Sequence, residues 1–285
     1  MTTSGVGNRR HKRLMLIAGY AVAIVVGVYA ALVAVLYFTQ EKLIFAGSRL
    51  PPGYKFAFGT QRFEEIRVNV SGAVLHALHF MQPAPRGLVF FLHGNGGDLS
   101  TWTTGIDFYE RAGYDLFIFD YRGYGLSTGR IESEAQLHAD TRTMWNTIAP
   151  SYRERNLPIV IYGRSLGTGL ATPLARDVDP ALLVLVTPFT SLAAMATRLY
   201  PFVPQWAIRY PLRTDAVIAD VRSPIVLVHG TRDTLIPFDE SVALLMMAKS
   251  RAELIKVDGA GHNDIHQFPV YIDGLALRLE LVAAR

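Results

Sequence analysis

The 285-residue chain is half hydrophobic and contains no cysteine, which excludes a disulfide framework, a thiol nucleophile and a cysteine-based metal site. Its net charge of +4 does not point to nucleic acid. Arg9, Arg10, Lys12 and Arg13 form one local cluster, and without them 24 basic residues face 24 acidic ones. No RNA- or DNA-binding motif is present, so no nucleic-acid partner is expected.

The basic segment 1–13 leads into Leu14–Phe38, 25 residues without a charge. As a helix this run is roughly 37 Å long at about 1.5 Å per residue, enough to cross a ~30 Å hydrocarbon core with some tilt. The apolar region of a signal peptide is only about 7–15 residues long and ends at small residues. This one ends in Tyr37, Phe38, Thr39, Gln40 and Glu41. The expectation is an uncleaved transmembrane helix over 14–38, a juxtamembrane linker over 39–62 containing the turn-forming "RLPPGY" (Arg49–Tyr54), and one large domain over 63–285. Four cations clustered before the span, against Lys42, Arg49 and Lys55 after it, place the N-terminus in the cytoplasm and the domain outside, in a periplasm, extracellular space or lumen. The reverse orientation is the alternative.

"FEEIRVNV" and "AVLHALHF" read as two strands around the turn Ser71-Gly72. After Pro85 come short, continuous apolar runs: Leu88–Leu92, Leu116–Phe119, Ile159–Tyr162, Leu182–Val186, Ile225–Val228 and the weaker Glu253–Val257. Such runs fit strands buried on both faces, and the helical-length segments between them imply a mostly parallel α/β sheet flanked by helices. Residues 187–223 are too many for a plain crossover. They are rich in Tyr, Phe, Trp and Pro, and read as a short helical, cap-like insertion.

Polar residues follow four of these runs, where reactive groups of an open parallel sheet collect. "GRSLG" places Ser165 between two glycines at a strand-to-helix turn, the geometry of a nucleophile elbow. "HGNGGD" follows an earlier strand. It lacks the Lys-Ser/Thr of a phosphate loop and suits an oxyanion hole instead, built from the backbone N–H groups of Asn95 and Leu166. His93 is expected to hydrogen-bond within that loop, and Asp120 to cap or to pair with Arg122. Asp233 follows the strand Ile225–Val228, and His262 follows the last one. The order Ser165, Asp233, His262 supplies a nucleophile, an orienting acid and a base. Asp239, Asp220 and Asp264 remain alternative acids, and His266 an alternative base. No histidine–carboxylate cluster has metal-ligand spacing, so neither metal nor cofactor is expected.

"HGNGG", "DYRGYGLSTG", "GRSLGTG", "HGTRD" and "GAGHND" stand together in an order that resembles the α/β-hydrolase superfamily from about Phe63 to the C-terminus. "QEKLIF" after the apolar run and "TPFTSL" are similar to its branch of membrane-anchored α/β-hydrolase-domain proteins. That resemblance implies a serine hydrolase acting on carboxylic esters or acyl thioesters, including lipid-like ones. Peptidase or acyltransferase chemistry on the same residues is the alternative, and a membrane-tethered binding module that keeps the fold is the non-enzymatic one.

Overall fold

The computed structural model describes residues 4–284. Of the basic segment, residues 1–3 and the side chains of Arg9 and Arg10 lie outside the described residues. Helix α1 (Ser4–Ile44) contains the whole uncharged run and continues six residues past it. Its stretch His11–Ile44 is long and apolar enough to cross a membrane. Residues 45–62 do not stand apart from the domain. Gly47 bridges to Gly97 and Arg49 to Gly125, so this segment lies along the loops at one end of the sheet.

The expected hairpin forms as β1 (Phe63–Val70) and β2 (Ala73–Phe80), with Gly72 in the left-handed region its turn requires. Then follow β3 (Leu88–Leu92), α2 (Leu99–Trp102), α3 (Asp107–Ala112), β4 (Asp115–Phe119), α4 (Glu134–Glu154), β5 (Ile159–Arg164), α5 (Thr168–Val178) and β6 (Leu182–Val186). α6 (Leu192–Leu199), β7 (Ile225–Gly230), α7 (Phe238–Ala248), β8 (Ala252–Val257) and α8 (Pro269–Ala283) complete the order. The strands form one eight-stranded sheet in the order β1-β2-β4-β3-β5-β6-β7-β8. β2 pairs antiparallel with β1 and β4, and every pairing from β4 to β8 is parallel.

Alternation along the strands divides the core into two halves. Phe90, Phe117, Ile161 and Leu183 face one side, where Trp145 of α4, Leu170 of α5 and Leu244 of α7 cover them. Phe91, Ile118, Tyr162 and Val184 face the other, under Tyr109 of α3 and Leu275 of α8. Burial on both faces is why these strands read as unbroken apolar runs. The insertion between β6 and β7 holds α6 and short helical turns at Gln205–Ala207 and Ile218–Asp220. It sits over the carboxyl ends of the strands, against the C-terminal part of α1.

Candidate active site

β5 delivers Ser165 directly. The residue takes φ +50°, a conformation that costs a side-chain-bearing residue energy and that the surrounding packing must impose. The flanking glycines let three elements meet there. A Cβ on Gly163 would stand 2.7 Å from Ala171 Cβ in α5, and one on Gly167 would stand 2.0 Å from the Leu92 carbonyl oxygen at the end of β3. Ser165 is buried, because α1 and the insertion roof the turn, and it is reached through the cavity between them.

The loops after β7 and β8 bring the other two residues to it. His262 Nε2 lies 3.0 Å from Ser165 Oγ, and His262 Nδ1 lies 2.7 Å from Asp233 Oδ2. The carboxylate is held from several sides. Its Oδ1 accepts the N–H groups of Leu235 (2.9 Å) and Ile236 (2.8 Å). Burial alone would push the Asp233 carboxyl up. Hydrogen bonds with His229 and His262 and from the Ile236 N–H outweigh it and hold the group well below the usual carboxylate range. Asp233 therefore stays ionised beside the imidazole. In this arrangement His262 can take the serine proton while the carboxylate fixes its orientation.

His229 went unnoticed in the sequence. It is fully buried at the end of β7, 3.3 Å from Asp233 Oδ2. Its Nε2 donates to the Ile236 carbonyl (2.9 Å), and its Nδ1 accepts from Ser241 Oγ (2.6 Å). Its histidine type beside a strand end was the only signal, because its neighbours come from a different turn and helix. The alternative acids lie elsewhere. Asp239 and Asp220 are exposed, and Asp264 Oδ1 accepts the Gly261 N–H at 2.7 Å.

Asn95 and Leu166 line the same cavity as Ser165, and neither backbone N–H has a partner among the described residues. The Asn95 side chain is committed elsewhere. Its Oδ1 accepts from the Ala46 N–H and the Tyr124 hydroxyl, both at 2.9 Å, and its Nδ2 donates to the Ile44 carbonyl. The loop is thus tied to the end of α1. His93 is buried behind it and donates Nδ1–H to the Gly94 carbonyl at 2.7 Å, as expected of a loop-holding residue. Burial pushes its imidazole down to about 4. Of the two roles expected for Asp120, capping is the one seen, because Arg122 pairs instead with Asp140 at 2.5 and 2.8 Å. Asp120 turns inward to accept the Leu99 N–H at 3.1 Å.

Arg164, next to the serine, joins the two halves of the site. Its Nη2 donates to the carbonyls of His262 (3.2 Å) and Asn263 (3.4 Å), and its guanidinium lies 5.3 Å from the Trp102 ring centre. Trp102 in turn donates to the Gly96 carbonyl at 2.8 Å, within the Asn95 loop. The cavity over Ser165 has a volume of about 520 Å³. Leu36, Tyr37 and Leu43 of α1 form one wall, Leu192, Met195 and Leu199 of α6 another, and among the described residues no acidic one lines it. A second cavity of about 500 Å³ lies on the far side of the Asn95 loop, with Arg164 and His266 in its wall.

Comparisons agree with this architecture. A family model described as serine aminopeptidase S33 matches residues 83–220. The chain is 31% identical over 196 residues to the human alpha/beta hydrolase domain-containing protein 17B, covering 68% of this chain and 66% of that protein. It is 32% identical over 197 residues to the mouse protein 17C, covering 68% and 59%. This chain thus spans about two thirds or less of these relatives' length. Among solved structures, a Pyrococcus furiosus esterase superposes with a TM-score of 0.67 at 18% identity, covering 85% of this chain and 98% of that one. A soluble variant of monoglyceride lipase from Saccharomyces cerevisiae, bound to a substrate analogue, gives 0.61 at 15%, covering 82% and 99%. The sheet order, the turn at Ser165 and these relatives lead to one conclusion: the chain belongs to the α/β-hydrolase superfamily.

Proposed function

We propose that the protein is a membrane-anchored serine hydrolase that cleaves lipid-like carboxylic esters or acyl thioesters through an acyl-enzyme intermediate. The observation that carries this reading is the continuous relay from Asp233 Oδ2 through His262 to Ser165 Oγ at 2.7 and 3.0 Å. Ser165 attacks the acyl carbon as its proton passes to His262. The N–H groups of Leu166 and Asn95 receive the oxyanion, and His262 protonates the leaving oxygen or sulfur. Water, activated by the same imidazole, then releases the acid. α1 anchors the domain, with the N-terminus in the cytoplasm and the hydrolase on the outer side.

The family model's description raises a peptidase reading. An aminopeptidase must hold a substrate ammonium group, and the cavity over Ser165 offers apolar walls without a carboxylate. That lining favours an acyl chain. Turnover of p-nitrophenyl esters should therefore rise from acetate toward medium and long chains, with acyl thioesters cleaved beside them. A maximum at acetate, or faster cleavage of amino-terminal p-nitroanilides, would contradict the acyl-chain assignment.

A further inference from the structure

α1 is in contact with the insertion well inside its apolar run. The Tyr29 hydroxyl donates to the Phe202 carbonyl at 2.8 Å. Val33, one turn on along the same face, is only 5% exposed although it lies within the uncharged run. Gln40 closes the contact, donating to the Ala207 carbonyl at 2.6 Å and accepting from the Arg209 N–H at 2.9 Å. The tip of the insertion thus reaches nine residues below Phe38, the last residue of the uncharged run.

Nine residues of helix are about 13 Å. If the tip stayed in water, only Leu14–Val28, fifteen residues or about 22 Å of helix, would remain to cross a ~30 Å hydrocarbon core. A tip outside the lipid leaves the span about 8 Å short. A tip alongside the span leaves it long enough.

The tip is built for that surrounding. Leu199–Ile208, "LYPFVPQWAI", carries no charge and is bracketed by Arg198 and Arg209. Trp206 is 76% exposed, and Leu199, Tyr200 and Phe202 are exposed too. Backbone in hydrocarbon must find internal partners. Pro201 and Pro204 have no N–H to satisfy, and the Phe202 and Ala207 carbonyls are served by Tyr29 and Gln40 of α1. The cavity over Ser165 lies between this tip and α1.

Resting on the membrane-anchored reading above, we propose that Leu199–Ile208 is immersed about 8–13 Å into the leaflet on the domain's side, beside α1. The acyl chain of a bilayer-resident ester then passes from lipid to Ser165 between α1 and α6 without crossing water. The partner of this surface is the lipid bilayer itself.

The test uses the full-length protein in phosphatidylcholine vesicles, with phosphatidylcholine brominated at mid-chain as quencher and aqueous iodide as its opposite. Among Trp102, Trp145 and Trp206, only the last should be quenched by brominated lipid and shielded from iodide. The quenched component should vanish in Trp206→Phe. Trp206→Asp places a charge in the hydrocarbon region, where it is costly. It should lower turnover of a vesicle-embedded long-chain ester at least about tenfold while a water-soluble short-chain ester is cleaved within about twofold of wild type. Trp206 quenched by iodide in protein that still resists carbonate extraction overturns the immersion and leaves the anchor standing. Protection from both quenchers means that protein covers the tip, and overturns it as well. Protein released by carbonate overturns the anchor and the immersion together.

Discussion

Under the Asn95 loop, His93 and Asp120 face each other at 3.8 Å with opposite responses to burial. Burial pushes the His93 imidazole down to about 4, whereas burial and then the nearby Asp98 charge raise the Asp120 carboxyl well above its usual range. An unfolded histidine titrates near ~6.5, so the unfolded chain takes up that proton first as pH falls. The stability due to neutral His93 is complete above about 6.5 and is withdrawn as pH drops to about 4, a loss on the order of 3 kcal/mol. Asp120 runs the other way. It favours the folded state at low pH and loses that contribution as pH rises through its raised value. Comparison with His93→Asn separates the two. The stability advantage of wild type over that variant, from denaturant unfolding in detergent micelles, should shrink between pH 7 and 4.5. A constant advantage across that range would contradict a neutral buried imidazole.

At the scale of elements, the turn after β5 is where three pieces of backbone converge. Gly167→Ala would drive a methyl into the Leu92 carbonyl, and backbone cannot give way as a side-chain end can. The variant should lose more than about 2 kcal/mol of stability. A thermal midpoint equal to wild type would count against the packing described for this turn. Much of this element's logic was legible in advance, because a strand, a Gly-x-Ser-x-Gly turn and a helix are local patterns. The strands at Leu88, Ile159 and Leu182 announced themselves as apolar runs for the same reason. Asp233 and His262 were legible by their places after strands. His229 was not, because its partners Ser241 and Ile236 become neighbours only when β7, its loop and α7 pack together. The partner of Arg122 was missed for a similar reason. Asp120 lies two residues away in sequence, but its carboxyl turns inward, while Asp140 arrives from α4. Least legible was α1 as a wall of the cavity. Its composition announces a span, and nothing local records that Gln40 and Tyr29 bond to the insertion over 160 residues later.

For the molecule as a whole, the helix proposed to anchor the chain also forms a wall of the cavity over Ser165, so on that reading orientation and activity are linked. On the proposed orientation, the basic cluster before Leu14 holds the N-terminus inside. A C-terminal alkaline phosphatase fusion should therefore be active in intact bacterial cells, and a cytoplasmic reporter at the same point inactive. The reverse pattern would move the domain to the cytoplasmic face. In the proposed mechanism Ser165 is the group that becomes acylated. The most direct measurement treats the detergent-solubilised full-length protein with a fluorophosphonate and maps the adduct by peptide mass spectrometry. Ser165 should carry the label, and Ser165→Ala should lose both label and ester turnover while still folding. An adduct on another residue, or an unlabelled protein that still hydrolyses esters, would contradict the account.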